Sequence, residues 1–231
     1  MSSHVEGYVF AIQEQEINTR ALQKSREHKD DNNFNSKCRY CRTAKEDLFH
    51  LLCSCNAFSA SMYLPLRHDE VAKALFNEFA KKVNNNITYA TPKNNVWKYG
   101  ATEIWWDTPI ATSPRTKFNK PDIVIWDNEQ HTCRIIDICV PLDENVKTNE
   151  KEKSDKYAVL AVALKRLYPD YSYSVTPIVL GATGLVTDSL LHNLKEIGFD
   201  DQESRRIAPK LQQKVLLGSM KVIKSAMNLR K

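Results

Sequence analysis

Two aspartates set among apolar residues, Asp122 and Asp137, are the first candidates for chemistry in this chain. Ile123, Val124, Ile125 and Trp126 follow the first; Cys133, Ile135, Ile136, Ile138 and Val140 surround the second. Dense β-branched runs of this length fit strands buried on both faces. With Asn128–His131 as a four-residue loop, Asp127 faces Thr132 and the ladder brings Asp122 opposite Asp137. Directly opposed residues have Cβ atoms roughly 4.5–5.5 Å apart, where like charges repel. A divalent cation between them turns that repulsion into binding. Lys153, Lys156 and Tyr157 follow at i, i+3 and i+4, so one helical face carries all three. Acids to hold Mg²⁺, a polarised water and a nearby cation are what phosphodiester hydrolysis needs. The competing reading is a turn-capping aspartate and a solvated lysine face.

A second group lies in CRYCRTAKEDLFHLLCSC, residues 38–55. Cys38 and Cys41, two residues apart, form a tight turn that presents two thiolates to one ion. His50 is a third candidate, and Cys53 or Cys55 the fourth. Three cysteines and one histidine close a tetrahedral shell typical of structural Zn²⁺. Such a site contributes on the order of 10 kcal/mol of apparent folding energy, enough to fold a knuckle with little core. Lys37, Arg39, Arg42 and Lys45 ring it with positive charge, which suits either nucleic acid or water. Cys133 and Cys139 read as core residues.

Lys120-Pro121-Asp122, fourteen further residues, Asp137 and then EKSDKY resemble the restriction-enzyme-like endonuclease of non-LTR retrotransposons, a branch of the PD-(D/E)xK nucleases. That group usually carries its lysine two residues after the second acid, where this chain has Cys139. The retrotransposon branch moves the lysine onto the following helix, a role that Lys153 or Lys156 would fill, and Tyr157 matches the aromatic that ends the motif. The same family carries C-x2-C, His, four residues and Cys, which favours Cys55 over Cys53. AIQEQEINTRAL (11–22), Met62-Tyr63, Arg67-His68 and the lead-in Trp106-Asp107, Pro109-Ile110 and Thr112 also match. The resemblance implies an α/β (α+β) fold, a PD-(D/E)xK restriction-endonuclease-like mixed sheet flanked by helices, preceded by a small helical zinc knuckle. It further implies a Mg²⁺- or Mn²⁺-dependent endonuclease that nicks target DNA and leaves a 3′ hydroxyl to prime reverse transcription. Asp122 and Asp137 would hold the metal and a lysine would assist the attacking water. A covalently attached reverse transcriptase domain is expected in the full-length element. The competing function is a non-catalytic module in which the knuckle and basic tail bind RNA or DNA; a host protein whose nuclease fold now serves partner binding is a further one.

The elements that must position these groups follow from periodicity. Residues 8–29, with Phe10, Ile12, Ile17, Ala21 and Leu22, read as an amphipathic helix. Residues 56–83 read as a helical pair, in which His68 is a surface or helix-start residue. Thr148–Pro169 reads as the lysine-bearing helix, and Tyr173–Leu180 as a third strand beside the acid hairpin. GATG (181–184) lacks the lysine and spacing of a phosphate-binding loop. Leu185–Ile197 reads as a short helix. From Ser204 to Lys231 the tail carries eight Lys or Arg and no acid, on a mostly amphipathic helix. Trp97, Tyr99, Trp105 and Trp106 beside Lys98, Arg115 and Lys117 offer a surface for stacking bases, or pack in the core. Asp107 ranks below the two other acids, as a strand or turn residue. The domains expected are an N-terminal helical segment (1–36), the knuckle with its helices (37–83) and the endonuclease domain (96–231), with Asn-rich loops at 31–35 and 84–95. The chain has 231 residues, 42% hydrophobic and 26% charged, with a net charge of +5 that permits nucleic-acid binding. No apolar run approaches the ~18 residues of a membrane span, and no secretory signal is seen, so a nuclear or cytoplasmic location is expected.

Overall fold

The computed structural model describes residues 3–60, 63–84 and 95–228. The acid-bearing hairpin is its centre. β3 (Ile123–Asp127) and β4 (Thr132–Cys139) pair antiparallel, from Asp127↔Thr132 to Ile123↔Ile136. The loop is the expected one, and Asp127 Oδ1 caps it by accepting the N–H groups of Glu129 and Gln130 at 3.1 and 2.9 Å. β1 (Val96–Tyr99) and β2 (Thr102–Trp106) extend the sheet on the β3 side. On the other side β5 (Ser172–Val179) lies parallel to β4, reached through helix α5 (Val146–Leu167). The sheet order is β1-β2-β3-β4-β5. Pro177 fits within β5 because that strand is an edge, where a missing N–H costs no ladder bond. The fold is thus a mixed α/β sheet flanked by helices.

The strands alternate their side chains between two cores. Val124, Trp126, Cys133 and Ile135 meet Tyr157, Leu160 and Leu164 of α5. Ile123, Ile125, Ile136, Ile138 and Ile178 face α4 (Tyr63–Val83), α6 (Asp188–Glu196) and α7 (Asp201–Asn228). Val71, Leu75, Phe76 and Phe79 place α4 in this core. The Asn-rich stretch 84–95 lies almost entirely outside the described residues, as does Met62.

The N-terminal segment departs from the single helix expected over 8–29. It forms α1 (Ser3–Gln13) and α2 (Arg20–Arg26), because Thr19 Oγ1 accepts from Leu22 N at 3.2 Å and caps a new helix. Ile12 and Ile17 bury beside the cysteine-rich segment, whose core also takes in Val222, Ile223 and Ala226 of α7. The basic tail helix is therefore a structural element. Arg205 pairs with Asp201, Arg206 and Lys210 with the buried Glu78, and Lys214 with Glu70. Arg230 and Lys231 lie outside the described residues.

Gly218 sets how closely α4 and α7 approach. A Cβ there would lie 2.5 Å from Arg67 Cγ and 3.2 Å from Arg67 Cα. Arg67 cannot swing away, since its guanidinium donates to Ser219 Oγ at 3.0 Å and Val140 O at 3.1 Å. Gly218→Ala is expected to destabilise the chain by about 1–3 kcal/mol through overpacking. A thermal melt would read this as a Tm lowered by roughly 2–4 °C per kcal/mol. An unchanged Tm would mean that the helices separate freely.

Candidate functional site

The cysteine-rich segment folds around one point. A bridge between Lys37 and Lys45 closes the loop, and Arg42, at φ 60°, donates its N–H to Cys38 O at 2.8 Å. Glu46, fully buried, holds the turn from inside. It accepts from Arg39 N, Nε and Nη2 at 3.0, 2.8 and 2.6 Å and from Arg20 N at 3.1 Å. Arg39 is thereby turned inward, while Lys37, Arg42 and Lys45 stay exposed. A π-helical turn, His50–Ser54, follows, and α3 (Asn56–Ala60) continues from it.

One ligand atom each from Cys38, Cys41, His50 and Cys55 lies within 4.8 Å of the others. The Cys38–Cys55 sulfurs are 3.9 Å apart, and Cys41 Sγ is 3.2 Å from His50 Nε2. Tetrahedral Zn²⁺ with bonds of about 2.3 Å to sulfur places two sulfurs about 3.8 Å apart, so this donor set fits a metal such as zinc. Burial opposes ionisation of Cys41, but hydrogen bonds from Thr43 and Ala44 bring its thiol down to about 5. Burial pushes Cys55 up to about 11. Cys53 points elsewhere, 3.9 Å from both Val140 O and Arg67 Nη2. The structure thus groups Cys55, and not Cys53, with the other three.

The second cluster forms where the hairpin ladder ends. Pairing stops at Ile123↔Ile136, one step short of the aspartates, so they are not a ladder pair. Instead the Asp122 carboxylate takes the place of a main-chain acceptor, and Ile138 N–H donates to its Oδ2 at 2.6 Å. Asp107 joins this end of the sheet through its N–H, which donates to Asp122 O at 2.9 Å. Its own carboxylate turns outward to Lys120 Nζ at 2.7 Å.

Asp137 is buried, its side chain 5% exposed, and α5 supplies its counter-ions. Lys153 Nζ lies 2.7 Å from Oδ2 and Lys156 Nζ 3.9 Å from Oδ1. The closer contact is an ion pair without hydrogen-bond alignment, since Oδ2 has no hydrogen-bonded partner. Burial works against the Lys153 charge, but Asp137 outweighs it and raises its pKa. Lys156 also sits 4.5 Å from the Tyr157 ring centre and 5.3 Å from that of Phe118. The Tyr157 hydroxyl donates to Lys120 O at 2.9 Å, and burial beside Asp137 raises its pKa. Cys139, two residues after Asp137, has its thiol 3.3 Å from Asn149 Oδ1 and pushed up by burial.

His68 is the residue that sequence reasoning set aside. Its Nε2 lies 3.0 Å from Asp122 Oδ2 and its Nδ1 3.2 Å from Asp69 Oδ1. Burial lowers its pKa, but the two carboxylates raise it to about 9. The missed signal was periodicity: His68 precedes Val71, Ala72 and Leu75 by three, four and seven residues, on the sheet-facing stripe of α4. The four aromatics of the expected basic surface divide: Trp97 stacks on the exposed Tyr99 at 6.0 Å, beside exposed Lys98, while the two others pack against neighbours. Trp106 meets Phe76 edge-on at 5.6 Å, and Trp105 lies 5.8 Å from Trp126.

The site and fold together define a mixed α/β chain with a three-cysteine, one-histidine group that fits a metal and an acid–lysine cluster at a sheet end. No protein-family model matches the chain, and no curated protein matches it. Among the described residues no helix is long and apolar enough to cross a membrane.

Proposed function

We propose that this chain is a metal-dependent DNA endonuclease of the PD-(D/E)xK kind, similar to those of non-LTR retrotransposons. The observation that carries this reading is Lys153 ion-paired at 2.7 Å to the buried Asp137, beside Asp122 at the end of the same hairpin. Asp122 and Asp137 are hard oxygen donors, suited to Mg²⁺ or Mn²⁺. Such an ion, when bound, supplies Lewis-acid charge at the phosphate and lowers the pKa of a bound water. The chain's own contributions are positional. Asp137, buried between sheet and α5, orients Lys153 by charge. Lys153 keeps its proton and so offers positive charge to a developing phosphoryl oxyanion. Tyr157, anchored on Lys120 O, fixes the start of the acid motif against α5. The reading includes a nick that leaves a 3′ hydroxyl for reverse transcription, a covalent reverse transcriptase in the full-length element, structural zinc in the knuckle and a nuclear or cytoplasmic location.

The test is conversion of supercoiled plasmid by the zinc-loaded chain in Mg²⁺ or Mn²⁺. Nicking is expected to require the added ion and to fall to background in both Asp122→Ala and Asp137→Ala. A folded, zinc-loaded wild type that binds DNA or RNA but leaves plasmid intact would instead favour a nucleic-acid-binding module. Lys37, Arg42 and Lys45, exposed around the knuckle, would then be its contact surface.

A further inference from the structure

The hairpin ladder does not hold Asp122, since it ends at Ile123↔Ile136. Its main-chain oxygen accepts from Asp107 N at 2.9 Å, and the two contacts of its carboxylate converge on one oxygen. Oδ2 receives Ile138 N–H at 2.6 Å and faces His68 Nε2 at 3.0 Å. Among the described residues, Oδ1 takes no hydrogen bond or ion pair. The carboxylate is therefore locked by one oxygen and open at the other.

The ring that does the locking is itself locked. His68 Nδ1 faces Asp69 Oδ1 at 3.2 Å, so the flat imidazole spans two carboxylates from opposite edges. Its helix cannot drift, because Val71, Leu75 and Phe79 seat α4 in the sheet core. Arg67, one residue earlier, donates to Val140 O at 3.1 Å, at the end of the strand that carries Asp137. Carboxylates that ligate metals are themselves hydrogen-bonded, and such outer partners fix their orientation.

We infer that His68 is a positioning residue of the acid pair: it pins Asp122 through Oδ2 and leaves Oδ1 as the oxygen open to a divalent cation, with Asp69 holding the ring. This rests on the reading of Asp122 and Asp137 as a cation-holding pair. The inference adds helix α4 to the site and assigns separate tasks to the two oxygens of one carboxylate.

The test is Mn²⁺ binding by calorimetry on the zinc-loaded full chain, together with the Mn²⁺ dependence of plasmid nicking. His68→Ala is expected to raise the half-saturating Mn²⁺ concentration about 10–100-fold, the usual cost of losing an outer partner of a metal ligand. The nicking rate at saturating Mn²⁺ should change far less. His68→Gln, whose amide nitrogen mimics Nε2, should recover most of the loss. Asp69→Asn, which leaves Asp122 untouched, should weaken Mn²⁺ binding by a smaller factor and serves as the comparison if His68→Ala melts. Zinc content and thermal melts identify variants that fail to fold. Mn²⁺ binding lost in Asp122→Ala but unchanged in folded His68→Ala would overturn the inference and spare the acid-pair reading. Equal losses in His68→Ala and His68→Gln would overturn it too, since the ring would then act by its shape. Mn²⁺ binding that survives Asp122→Ala would overturn both.

Discussion

Cys55→Ser is expected to abolish zinc uptake by the Cys38–Cys41–His50–Cys55 group and to loosen the packing around it, while Cys53→Ala is expected to keep both. The two cysteines lie one residue apart in sequence, but the chain turns their sulfurs to different neighbours. Cys55 Sγ lies 3.9 Å from Cys38 Sγ, within the four-atom group. Cys53 Sγ faces Val140 O and Arg67, outside it. Structural zinc carries about 10–16 kcal/mol of apparent folding energy in small knuckles. The core it supports here is thin: Ile12, Ile17, Leu48, Leu51, Leu52 and Phe58 against the last turns of α7. Loss of the ion should therefore expose this cluster while the sheet core persists. Hydrogen exchange would show lost protection over 3–60 and 219–228, and zinc content would fall to near zero. Cys53→Ala should retain its zinc and cost about 1 kcal/mol, an ordinary value for one substitution. Zinc retained in Cys55→Ser and lost in Cys53→Ala would reverse the ligand assignment.

What the sequence made legible depends on how local each cause is. The hairpin register follows from Asp127 and the loop it caps, all within a few residues, so Asp127↔Thr132 was readable in advance. The strand beside it was equally readable, because its apolar run needs a buried sheet position. The helix break at Thr19 is local too, yet the apolar spacing on either side masked it. The role of His68 was hidden for another reason. Its partner Asp122 is 54 residues away, and no periodicity specifies which strand end a helix stripe will meet. The tail helix shows the same limit: its lysines and arginines suit a phosphate backbone and open water equally well, but Glu78 and Glu70 of α4 pair with three of them. Tertiary pairing decides whether a charge is a surface or a strut.

The choice between the two lysines belongs to that tertiary class, and it sets the largest expected effect on activity. Both lie on one face of α5, so sequence spacing leaves them equivalent; the phase of α5 over the sheet separates them. Lys153 stands 2.7 Å from Asp137 and Lys156 3.9 Å, the latter also resting against the rings of Phe118 and Tyr157. Lys153→Met is expected to lower single-turnover nicking by roughly 10²–10³-fold, the usual cost of removing one charge-stabilising donor. Lys156→Met should cost about tenfold or less on the same scale. A thermal melt must accompany both, because Lys153→Met strips a buried carboxylate of its nearest cation. The pH dependence gives a second check. Asp137 raises the Lys153 pKa, so the charge and the stability it contributes are fully present below the ordinary lysine value and disappear only as pH rises through the higher folded one. Nicking limited by this charge should hold through mildly alkaline pH in the wild type. If Lys156→Met is the more damaging variant while both proteins remain folded, the attacking water is approached from the Phe118 side and Lys153 serves only to neutralise Asp137.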